Sequence, residues 1–322
     1  MTTTLVARGA GGAGTPLSPA RKFATLMRRE WLQHRFGWTM AALLPIAIAL
    51  LLVAFGQVQI GDEAIESTGE MLPVMLALGA LAGSTAVVFA ILVITSLIIT
   101  ANIARRDHGD RSVEFWLSMP VGHGGSLAAP LVTHLLLVPA VGLLVGLAGG
   151  ALISLVLVAR AAGVGAWFAL PWAEILPAAL AIVGRLLAGL PLAVLWVLPL
   201  VLLLVLLTAW ARGWGWVIFA VGIGLGSALL DSLFGQPWPA EILGELLANA
   251  ARALLFVNDG GLKVGPNEGL EVLHALPGWL LADLGHALRA LASPLLAGGL
   301  VFAAGCFWLL MRWRERGASA GA

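Results

Sequence analysis

The chain has 322 residues, 60% of them hydrophobic and 11% charged, with a formal net charge of +1. A soluble globular domain carries about 25% charged residues, so this composition excludes a water-solvated surface, and the near-zero charge gives no overall attraction to nucleic acid or to acidic substrates. The single cysteine, Cys306, excludes an intrachain disulfide framework and any multi-cysteine metal site, and its apolar surroundings predict a packed, inert thiol.

Several apolar runs reach the roughly 20 residues that a helix needs to cross the hydrocarbon core. The expected fold class is therefore an all-α integral membrane protein with about six transmembrane helices. Residues 1–20 contain Gly, Thr, Pro and Ser without a continuous apolar stretch, which predicts a disordered cytoplasmic tail and no signal peptide. Residues 21–38 follow as a basic amphipathic helix at the inner interface: Phe23, Leu26, Met27, Trp31 and Trp38 share one face, with Arg21, Lys22, Arg28, Arg29 and Arg35 largely opposite. Glu30 intrudes on the apolar arc. A purely topogenic anchor explains this helix as well as a functional role does.

The transmembrane domain covers residues 39–311, with spans near 39–56, 74–101, 126–158, 186–210, 214–233 and 292–311. The third run exceeds a single crossing, so it tilts or projects beyond the bilayer. Between the second and third spans, RRDHGDRSVEFWLSMPVGHGG (105–125) is dense in charges and aromatics. Asp110 suits a helix start, Val113, Trp116 and Leu117 share a face, and Pro120 stops the helix, giving a short cytoplasmic helix around 107–119. Phe115, Trp116, Leu117 and Met119 together form an apolar surface that a protein partner covers. Arg185, close to Glu174 and Trp172, is expected to snorkel to the outer interface. An outer insertion at 235–291 carries two helical patterns, Ile242, Leu243, Leu246, Leu247, Ala250 and Leu273, Leu280, Leu281, Leu284, Leu288, joined by the turn-rich NDGGLKVGPNEG. Charges and Pro277 interrupt both, so they read as re-entrant or interfacial outer helices. Residues 312–322 form a cytoplasmic tail.

Six crossings put both termini on one side. Arg21, Lys22, Arg28, Arg29, Arg35, Arg105, Arg106, Arg111, Arg212, Arg312, Arg314 and Arg316 fall in one set of loops and ends, which the positive-inside rule makes cytoplasmic. Of the thirteen tryptophans, all except Trp196 lie near a predicted boundary or in a loop, where indole rings prefer to sit.

Chemistry is sparse. There is no GxxxxGK(S/T) loop, so this chain does not hydrolyse ATP alone, and no HExxH or GxSxG motif or paired intramembrane acids appear. No catalytic, cofactor or metal residue is assigned. His134 is the one ionisable side chain well inside a span, read as a neutral imidazole hydrogen-bonded to a neighbouring helix.

RREWLQHRFGW at 28–38, before the first span, and RRDHGDRSVEFWLSMPV at 105–121 resemble the permease subunits of type-2 ABC transporters. The resemblance implies an amphipathic inner helix carrying Arg28, Arg29, Glu30, Trp31 and Arg35. It also implies a coupling helix in which Asp107, Asp110, Arg111, Glu114, Phe115, Trp116 and Leu117 dock on a separate ATPase subunit that uses ATP and Mg, this chain binding no cofactor itself. A second permease subunit, identical or related, is implied too, as is a multi-pass position in a bacterial inner membrane. Gly142, Gly146, Gly149 and Gly150 permit close helix contact. The other readings are a non-transporting scaffold or sensor and a lipid-modifying enzyme using His123, His134, His274 or His286. The enzyme needs acids and histidines gathered at one membrane depth, which the assigned topology does not provide.

Overall fold

The computed structural model describes residues 18–56, 71–103, 123–211, 214–254 and 271–319. Among the described residues the chain is an all-α protein with six helices long and apolar enough to cross a membrane: Pro19–Phe55, Leu72–Ala101, Gly124–Ala162, Trp172–Ala211, Gly215–Phe234 and Pro294–Glu315.

Helix α1 is Pro19–Phe55. The Ser18 hydroxyl accepts a hydrogen bond from the Arg21 amide at 3.4 Å, Pro19 stands where its missing N–H costs nothing, and Gly56 follows the last turn. The amphipathic segment and the first span are thus one uninterrupted helix, about 55 Å long. Its buried residues, Leu26, Glu30, Trp38, Ala42 and Ile46, recur at multiples of four and make a single stripe.

Helix α2 is Leu72–Ala101. The third span is composite: α3 (His123–Val132), a π turn (Thr133–Leu137) and α4 (Val138–Ala162). The Val138 amide bonds to the Thr133 carbonyl, five residues back. Pro139 explains the widening, because it cannot donate to the Leu135 carbonyl and its ring would clash there in a regular helix. Gly163, at φ +88°, ends α4 in a backbone conformation that glycine tolerates. The short α5 (Val164–Phe168) leads to α6 (Trp172–Ala211), then α7 (Gly215–Phe234), α8 (Trp238–Leu254), α9 (Glu271–Ala290) and α10 (Pro294–Ser319).

Two packed groups result. In the first, α1 runs parallel to the third span, with Ile46 against Gly149, while α2 runs antiparallel to α4, with Leu92, Thr85 and Leu81 facing Gly142, Gly146 and Gly150 in turn. A Cβ on Gly146 would stand 2.7 Å from the Thr85 Cα, so only glycine allows these backbones to approach so closely. The small-residue stripe therefore serves contact within the chain. In the second group α6 is the axis, with α7, α8, α9 and α10 packed on it. Trp196 is fully buried there beside Leu246, Ala250 and Leu296. Cys306 is buried among Leu127, Val205 and Leu310, as its surroundings predict.

Candidate functional site

Glu30 and His34 stand one turn apart on α1, an arrangement in which side chains at i and i+4 meet. His134 approaches them from the π turn. Its Nε2 lies 3.0 Å from Glu30 Oε1, and His34 Nε2 lies 3.7 Å from the same oxygen. His134 is 0% exposed and Glu30 5%. Burying a charge without a partner costs several kcal/mol, on the order of what a whole domain can spare, so the carboxylate–imidazole bond helps Glu30 to sit on the apolar stripe. The Trp38 ring packs 5.5 Å from the His134 ring and 6.1 Å from that of His34, and the two imidazoles are 5.6 Å apart. Trp38 is buried in this contact and does not mark a lipid interface, because the histidines offer its ring a protein partner.

His134 stands within the π turn. A five-residue hydrogen-bond step inserts one residue into the helix and swings the following side chains by about 100° relative to a regular α-helix. His134 Nδ1 is buried and has no hydrogen-bond partner among the described residues. His134 also forms part of the wall of a cavity of about 400 Å³ between α2, the third span, α6, α7 and α8. Val93, Leu97, Val197, Phe219 and Leu247 typify its lining, in which His134 is the one ionisable side chain and Ser96 the one hydroxyl.

Arg185 departs from its expected position. Instead of reaching an outer interface it is 4% exposed, its Nε and Nη2 donating to Asp283 Oδ2 at 3.0 and 2.7 Å and its Nη1 donating to the Ala253 carbonyl at 2.7 Å. Snorkelling is favoured only where a long side chain has no internal partner; here α9 supplies the carboxylate and the last turn of α8 supplies an orphan carbonyl. The result ties α6, α8 and α9 together. Arg160 does a similar job on α1, its Nη1 donating to the carbonyls of Val53, Ala54 and Gly56 at 2.8, 2.8 and 2.9 Å. A cation at a helix C-terminus also complements the helix dipole.

Of the residues expected on the amphipathic helix, Arg28, Arg29 and Arg35 are exposed, Trp31 is half-buried against the core, and Glu30 is buried. Asp107, Asp110, Arg111, Glu114, Phe115, Trp116 and Leu117 lie outside the described residues, as does the connection within the outer insertion. The expectation that acids and histidines are not gathered is overturned: Glu30, His34 and His134 meet, because α1 extends past the span boundary drawn at residue 39 and lies along the third span. His274 and His286 are exposed on α9. His34 carries no sequence signal of its own; its spacing of four from the misfit Glu30 is the only clue. Known protein families, curated proteins and solved structures give no match to this chain.

Proposed function

We propose that this chain is the membrane-spanning permease subunit of an ATP-driven exporter in a bacterial inner membrane, coupled to a separate nucleotide-binding subunit through residues 105–121. The observation that carries the reading is the position of that segment. It joins α2 to the third span, the two elements locked backbone to backbone at Gly146 and Gly150. A push delivered to Phe115 and Trp116 by a closing ATPase would reach both helices as one body, because packed elements transmit rigid shifts instead of absorbing them. The second body is α6 with its attendant helices, joined to the first through the cluster of Leu127, Val205 and Leu310, and the apolar cavity lies between the two. Relative movement of the two bodies opens or closes that space. Its lining has no charged side chain other than His134, if protonated, which favours apolar or amphiphilic cargo over a glycan or a nucleotide.

The test is isolation of the tagged chain in mild detergent with mass spectrometry of whatever accompanies it. A Walker-motif ATPase in near-equal amount is expected, and it should be lost on Phe115→Ala/Trp116→Ala although the variant still inserts. Reproducible absence of an ATPase from an otherwise intact complex would overturn the proposal in favour of a scaffold or sensor, and undiminished association in the double variant would overturn the docking assignment.

A further inference from the structure

We propose that Glu30, His34 and His134 form a binding site for a divalent transition-metal ion of the Zn²⁺ class, joining α1 to the third span. The geometry comes first. Around a tetrahedral ion with metal–nitrogen and metal–oxygen distances of about 2.0–2.1 Å, neighbouring ligand atoms stand about 3.4 Å apart. The two separations to Glu30 Oε1, 3.0 Å from His134 and 3.7 Å from His34, bracket that value, and all three ligand atoms lie within 4.8 Å of one another. An ion placed among them draws His34 inward, and His34 sits at the partly exposed edge and so also offers the way in.

The donor set selects the ion. Two imidazoles and one carboxylate suit Zn²⁺, Co²⁺ or Ni²⁺; Ca²⁺ and Mg²⁺ call for oxygen ligands throughout, and Cu⁺ for sulfur. Three protein ligands leave a fourth position for water or an exchanging ligand. The π turn is an independent pointer, since such turns are frequent at functional sites and His134 stands within this one. Trp38, packed on both rings, limits their rotation and preorganises the set. With the ion on Nε2 of His134, the ring proton resides on Nδ1, which finds no acceptor among the described residues. Metal-bound histidines ordinarily donate that proton to an acceptor, so the site is exchangeable and weaker than a structural zinc site. Occupancy clamps α1 against the π turn. Because the same imidazole forms part of the cavity wall, the clamp acts on one of the two bodies that enclose the cavity.

The experiment uses the full chain, carried on a tag without histidines, stripped with chelator in detergent and titrated with zinc chloride by calorimetry and with cobalt chloride by visible absorption. One saturable ion per chain is expected, with the intense d–d absorption of four-coordinate cobalt and a zinc-dependent rise in melting temperature. His34→Ala, at the partly exposed edge, leaves the fold in place as judged by circular dichroism and gel filtration. It should lower zinc affinity by about 100-fold or more, beyond the range seen for outer-shell losses, and abolish the cobalt band; Glu30→Gln should do the same. Failure of the folded wild-type chain to bind either ion would overturn the proposal. So would zinc binding that survives both substitutions, which would assign the ion to surface histidines elsewhere.

Discussion

Replacing Arg185 with leucine should loosen α8 and α9 from α6. The guanidinium makes three charged hydrogen bonds in a site where both ionic partners are nearly dry, 2% and 5% exposed at their side chains. Deleting one member of such a pair leaves the other charge buried and costs about 3–5 kcal/mol. Removing both charges as Arg185→Leu/Asp283→Leu leaves the Ala253 carbonyl without its Arg185 donor, a loss of about 1–3 kcal/mol. The double variant should therefore be the more stable of the two, an order that solvated charges would not produce. Backbone hydrogen exchange across α8 and α9 in detergent reads this directly. At about 1.4 kcal/mol per tenfold change, the single variant should raise exchange in these helices by about 100-fold or more if they open locally, and the double variant should recover most of that protection. Equal exchange in the single and double variants would refute the reasoning, because it would mean that Asp283 finds water as soon as Arg185 is gone.

Gly146→Val should force α2 and α4 apart, at a cost of about 1–3 kcal/mol for overpacking, and appear as a lower melting temperature; Gly79→Ala, where a Cβ would meet nothing within 4 Å, is the matched control and should be neutral or slightly stabilising. Arg160→Leu strips the donor from three carbonyls at the end of α1. Because Arg160 is exposed, the loss should be only about 1 kcal/mol, confined to faster hydrogen exchange in the last turn of α1 and the residues that follow it. The loss of a copurifying ATPase on Phe115→Ala/Trp116→Ala and the loss of zinc affinity on His34→Ala complete the set, and the two can fail independently since they concern different segments.

The spans were legible because a crossing helix declares itself by apolar length, but their ends were not. The fourth span reads as 186–210, since Glu174, Pro177 and Arg185 interrupt the run, yet α6 begins at Trp172. Its first turns are held by tertiary contacts: Ile175 is buried beside Val74 and Leu170, and Ala178 beside Leu276 and Leu280. Apart from Leu170, these contacts come from elements about 100 residues away along the chain, beyond the reach of a local window. The first helix shows the same effect, where packing along the third span carries α1 straight through the boundary drawn at Trp38.

The candidate site follows a common rule with that result. In a chain that is 60% hydrophobic, a charge standing on an apolar stripe must be paired to be tolerated. Glu30 breaks its stripe and is found against His134; Arg185 breaks its run and is found against Asp283. The misfit is visible in the sequence, whereas the partner is not, because pairing over 104 or 98 residues depends on how whole helices lie. Apolar packing alone fixes those positions loosely, since one methyl-lined groove accepts a neighbour at several heights. A buried charge held by a specific hydrogen bond admits only one height, because a shift of one helical turn, about 5.4 Å, leaves it desolvated with nothing to meet. The two misfit charges thus set the relative placement of the helices in the two bodies, Glu30 for α1 on the third span and Arg185 for α8 and α9 on α6. Of the two, Glu30 has a second imidazole within reach of the same oxygen, and that surplus of ligating groups distinguishes a site from a fastening.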